Sequence, residues 1–89
     1  MQEEYTRVKP VDKERMSKYL EAAKGPGRTM KQFAEECGVN PSTFSRIVNK
    51  KLGGASTETV IRSIFEHRDR TSGITLEMLM DANGFASAE

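Results

Sequence analysis

Few side chains in this chain of 89 residues have the chemistry of a reactive centre. Cys37 is the only cysteine and His67 the only histidine. One thiol cannot form an internal disulfide, and one thiol with one imidazole falls short of the three or four ligands a zinc site takes. Cys37 is a nucleophile by type, but it sits on an apolar helical stripe, so a buried thiol is expected. His67 stands near the end of a helical pattern, where a solvated or dipole-facing imidazole is ordinary. Glu35 and Glu36 are neighbours, so a helix points them to different faces, and they are not an acid/base pair. "GPGRT", from Gly25 to Thr29, lacks the spacing of a phosphate-cradling loop and follows no strand. No Ser-His-Asp set is brought together. The expectation is a chain that is not an enzyme and needs no cofactor and no metal.

A different chemistry is written from Asn40 to Lys51, "NPSTFSRIVNKK". Its polar side chains are short hydroxyls, amides, one arginine and two closing lysines, which hydrogen-bond base edges and phosphates. The surrounding charge agrees. Lys24, Arg28, Lys31, Arg46, Lys50 and Lys51 against Glu35 and Glu36 give +4 between positions 24 and 51, in a chain of net charge +1. The rest of the chain is therefore acidic, and the middle is a basic island.

The elements that must carry these residues are all helical. Positions 1 to 11 lack periodicity and read as a flexible N-terminal arm. Asp12 is placed to cap a first helix with Met16, Tyr19, Leu20 and Ala23 on one stripe, stopped by Gly25-Pro26-Gly27. Thr29 and Gln32 have the spacing of a capping box for a second helix, with Met30, Phe33, Ala34 and Cys37 inward and Gly38 at its end. Asn40 and Pro41 fit the cap and first position of a third, with Phe44, Ile47 and Val48 inward. Lys50-Lys51 and Gly53-Gly54 close it. Ser56 is read as the cap of a fourth helix with Val60, Ile61, Ile64 and Phe65 inward. Thr75 caps a fifth, with Leu76, Leu79 and Met78 or Met80 buried, ended by Gly84. Nothing alternates long enough to be a strand. The fold class expected is all-α: a compact five-helix bundle over residues 12–85, with 86–89 a tail.

The second and third helices are joined by only three or four residues, so they must cross steeply. Ala34 allows close approach, Gly38 permits the turn, and Val39 plugs the corner. With Phe44 and Ile47 inward, Ser42, Thr43, Ser45, Arg46 and Asn49 point outward or sideways. That leaves a narrow, polar helix start, a shape suited to a groove about 12 Å wide. "TMKQFAEECGVNPSTFSRIVNKK" resembles the helix-turn-helix of the phage-repressor and Cro type, the xenobiotic-response-element family. The resemblance spans about Met16 to Phe65. It implies sequence-specific binding of double-stranded DNA, commonly as a homodimer, with the third helix in the major groove. By position it implies base contacts from Ser42, Thr43, Ser45, Arg46 and Asn49, with Thr43 and Arg46 nearest the base edges. It implies phosphate contacts from Arg28, Thr29, Lys31, Gln32, Asn40, Lys50 and Lys51. Met30 and Pro41 stand where some members of the family carry glutamine, so paired-glutamine reading of adenine is not expected.

The implied role is that of a bacterial or phage transcriptional regulator, or its N-terminal DNA-binding domain. Dimerisation is expected through the fourth and fifth helices. The alternative is a protein–protein interaction module, or an antitoxin-like partner that keeps the fold. No apolar run reaches the ~20 residues of a membrane span, and a cytoplasmic location is expected. The end at Gly84-Phe85, just past a helix, reads as a domain boundary, with a C-terminal sensing domain or a protein partner beyond it.

Overall fold

A computed structural model describes residues 5–49 and 54–87. Five helices follow a short strand: β1 (Tyr5–Arg7), α1 (Lys13–Lys24), α2 (Met30–Glu36), α3 (Pro41–Val48), α4 (Gly54–Glu66) and α5 (Leu76–Ala82), and β2 (Phe85–Ser87) closes the chain. The architecture is an all-α bundle, 36 × 25 × 23 Å, to which the chain ends add a two-stranded ribbon.

Local chemistry sets most helix starts. The Asp12 carboxylate accepts from the Arg15 N–H at 3.1 Å and caps α1. At α2 the Thr29 hydroxyl accepts from the Gln32 N–H (3.1 Å) while Gln32 Oε1 accepts from the Thr29 N–H (2.8 Å). Both donors would otherwise be orphans of the first turn. Asn40 caps α3 ahead of Pro41, and Thr75 caps α5. The fourth helix begins earlier than expected. Ser56 lies inside α4, which starts at Gly54, so this glycine opens a helix rather than closing one. Lys50 and Lys51, read as the end of the third helix, lie outside the described residues; α3 ends at Val48 with Asn49 as its cap.

Every helix feeds one core. Met16, Leu20 and Ala23 of α1 meet Phe33 and Ala34 of α2, Phe44 and Ile47 of α3, Ile61 and Ile64 of α4, and Leu79 and Met80 of α5. The Phe33 and Phe44 rings pack with centroids 5.5 Å apart. Leu76, Met78, Val60 and Phe65 are only half-buried, while Ile74, in the loop before α5, is buried. That loop docks on the end of α1: the Asp69 N–H donates to Ala23 O at 2.7 Å.

The chain ends depart from expectation. Tyr5–Arg7, assigned to the arm, pair antiparallel with Phe85–Ser87, in the register Tyr5↔Ser87, Thr6↔Ala86, Arg7↔Phe85. Residues 8–12 continue the attachment. Gly84 O accepts from the Val8 and Lys9 N–H groups, and Ala82 O from Asp12 N–H at 2.8 Å. Three residues per strand carry too little alternation to be recognised, and the pairing joins opposite ends of the sequence.

Candidate functional site

The α2–α3 corner is built from backbone hydrogen bonds. Gly38 adopts φ +75°, a left-handed turn that costs glycine little. It lets the Gly38 N–H reach Glu35 O and the Val39 N–H reach Ala34 O, each at 3.0 Å. Those are two of the carbonyls that α2 leaves without a helical donor. Ala34 is fully buried, and Val39 packs half-buried against the core.

This corner aims α3. With 3.6 residues per turn and Phe44 and Ile47 inward, Ser42 and Asn49 lie opposite the core. Arg46 and Ser45 flank that line, and all four are exposed. Thr43 is half-buried beside the inward stripe. Arg46 forms no ion pair with any described residue, while several neighbours already have local duties. Asn40 Oδ1 accepts from both the Ser42 N–H and the Ser42 hydroxyl at 3.0 Å. Asn49 Nδ2 donates to Ser45 O at 2.8 Å.

The flanking cations divide. Lys31 is exposed and has no ion pair with a described residue. Arg28 is committed to the fold. Its Nε donates to Lys24 O (2.9 Å), one terminal nitrogen to Ala23 O (3.0 Å) and the other to Glu36 Oε1 (2.9 Å). Its guanidinium also lies 4.5 Å from the centre of the Phe33 ring. The last carbonyls of α1 are negative and lack helical donors, so a guanidinium fork fits there. Lys24 is similarly engaged, donating to the carbonyls of Gly25 and Arg28. The basic island of the sequence is thus partly spent on joining α1 to α2. Thr29, Gln32 and Asn40 are exposed at helix starts, and Lys50 and Lys51 lie outside the described residues.

An open groove of about 320 Å³ runs between α1, α2 and α3. Leu20, Met30, Phe44 and Val48 form its apolar lining, and Ser17, Glu21, Ser45 and Asn49 its polar rim. Three elements contribute to it, so no single stretch of sequence announces it. It places Ser45 and Asn49 on the α1 side of α3.

The reactive residues are placed elsewhere. Cys37 is buried, and burial pushes its thiol up to about 11, so it is protonated at neutral pH. Its Sγ faces Ser63 O at 3.8 Å, while the Ser63 hydroxyl donates to Cys37 O at 2.9 Å. His67 Nδ1 lies 2.9 Å from that same Ser63 carbonyl. A carbonyl only accepts, so this nitrogen carries the proton. The imidazole is turned to backbone rather than to the thiol or the hydroxyl. Among the described residues no three His, Cys, Asp or Glu side chains gather as a metal site, and no helix is long and apolar enough to cross a membrane.

Comparison with known proteins supplies no relative: no family model matches the chain, and no curated protein or solved structure matches it.

Proposed function

We propose that this chain binds double-stranded DNA sequence-specifically through a helix-turn-helix formed by α2 and α3, as a transcriptional regulator or its DNA-binding module. One observation carries the reading. The outer face of α3 holds short polar side chains and one arginine without an ion pair among the described residues, and a glycine turn lifts it off α2. A helix trimmed in this way enters a major groove about 12 Å wide without clash. Arg46 is then the side chain long enough to take a guanine through both acceptors of its major-groove edge. Ser42, Ser45 and Asn49 reach base edges or sugar-phosphate from the same face, and Thr43 acts from the helix flank. Thr29, Lys31, Gln32 and Asn40 meet phosphate from the helix starts, joined by Lys50 and Lys51. Arg28 leaves this set, because each of its three nitrogens already donates within the fold. The proposal includes a homodimer on a two-fold operator and a cytoplasmic location.

Amide NMR with mixed-sequence duplex DNA, at low and then moderate salt, tests the reading. Salt-sensitive shifts confined to residues 28–32 and 40–51 support it. A folded chain that shows no shifts at low salt overturns it. The groove beside α3 favours one other reading, a protein-interaction module whose apolar floor receives a partner. A module of that kind gives no shifts with duplex DNA even at low salt, so the same titration separates the two.

A further inference from the structure

Asn83 is fully buried, immediately after α5. Its backbone closes that helix, the N–H bonding Leu79 O at 3.2 Å and Met80 O at 3.1 Å. Its side chain serves a different helix. Asn83 Nδ2 donates to Ile47 O at 3.0 Å, inside the core. Ile47 is in the last turn of α3, where carbonyls run out of helical donors. In the same turn Ser45 O is satisfied locally, by the N–H and the side chain of Asn49. Ile47 O takes its donor from across the core.

The mount of this amide is tied to the N-terminal segment. On its far side, Gly84 O receives the Val8 N–H at 2.7 Å and the Lys9 N–H at 3.3 Å. A side chain at Gly84 would run into the Lys9 carbonyl. The turn at 82–84 is therefore gripped by residues 8–12 on one side and grips α3 on the other.

We infer that Asn83 is a positioning residue of the proposed reading helix, holding the C-terminal turn of α3 so that Arg46, one residue before Ile47, meets a base edge in register. The inference rests on the DNA-binding reading. A bidentate base contact demands placement to within about 0.5 Å, whereas a lysine reaching a phosphate on a flexible stem tolerates more. Loss of the Asn83 amide therefore removes selectivity before it removes affinity.

The test compares wild type, Asn83→Leu and Asn83→Asp on a duplex selected from random sequences and on mixed-sequence DNA, with folding followed by circular dichroism. Asn83→Leu, which keeps bulk and removes the donor, is expected to lose about tenfold or more at the selected site and less than about twofold on mixed DNA. In Asn83→Asp a buried carboxylate cannot donate to Ile47 O, but the protonated acid can. Selectivity of this variant, relative to wild type at the same pH, is expected to return between pH 7.5 and about 5.5. Equal loss on both DNAs by a folded leucine variant, or no loss on either, overturns the positioning role. If the leucine variant does not fold, an aspartate variant without recovery on acidification overturns it. A wild-type chain that binds neither duplex overturns the DNA reading itself.

Discussion

Arg46 and Arg28 carry the same guanidinium and have opposite surroundings. Arg46 is exposed without an ion pair among the described residues, while Arg28 spends its donors on two carbonyls of α1 and on Glu36. The two are expected to separate in experiment. Arg46→Ala should cost on the order of 1–3 kcal/mol at a selected DNA site, relax specificity there and leave the unfolding midpoint nearly unchanged. Arg28→Met should do the reverse, lowering stability by on the order of 1–3 kcal/mol through lost charged hydrogen bonds and ring stacking. Binding isotherms and urea melts on both variants decide it. An Arg28 variant of normal stability with weakened DNA binding would return that residue to the phosphate set. The sequence marks both positions as basic and near a helix end; which one is solvated depends on where the end of α1 lies in space. Cys37 was easier to read, because its helical spacing alone places it inward.

At the scale of elements, glycines divide by what surrounds them. Gly38 and Gly84 both adopt positive φ, at +75° and +86°. Nothing stands within 4 Å of a side chain built at Gly38, whereas one at Gly84 meets the Lys9 backbone. Gly38→Ala is expected to cost only the left-handed conformation, about 1–2 kcal/mol. Gly84→Ala should cost more and detach residues 8–9 from the 82–84 turn. Amide hydrogen exchange at Val8 and Lys9 reports this directly, and unchanged protection there would refute it. The glycines, caps and stripes of α1, α2, α3 and α5 were legible because each is a local device, settled within about four residues. Ser56 misled because a good capping residue also serves inside a helix. The ribbon and the Asn83–Ile47 link were not legible, since each joins residues far apart in sequence. An asparagine before a glycine reads only as a helix end.

Across the whole molecule, electrostatics is more local than the charge count implies. Asp81 links Lys9, at 3.1 Å, and Arg15, at 3.0 Å, and so joins the N-terminal segment to α1 and α5. Hydrogen bonds first from Lys9 and then from Arg15 hold its carboxyl below the ordinary 3.8. The folded protein thus gives up this proton more readily than the unfolded chain. Its contribution to stability is whole above about pH 4 and is lost as the pH falls through 3.8 and then through the folded value. All three side chains are over two-fifths exposed, so screening keeps the effect small. Asp81→Asn should therefore narrow its stability gap to wild type between pH 7 and pH 3 in urea melts; a constant gap would show that the ion pairs contribute nothing. The same accounting bounds the proposed DNA binding. Six basic residues lie between positions 24 and 51, but Lys24 and Arg28 are engaged within the fold. Of the other four, the proposal gives a base edge to Arg46 and phosphate contacts to Lys31, Lys50 and Lys51. At about 0.9 ions per phosphate contact, the logarithm of affinity should fall with that of salt at a slope no steeper than about −2.7 per protomer. Lys31→Met should reduce the slope by about 0.9, and Arg28→Met should leave it where it was. A steeper wild-type slope, or an equal reduction from both variants, would mean that DNA pulls the Arg28 guanidinium away from the carbonyls of α1 and that the α1–α2 junction rearranges on binding.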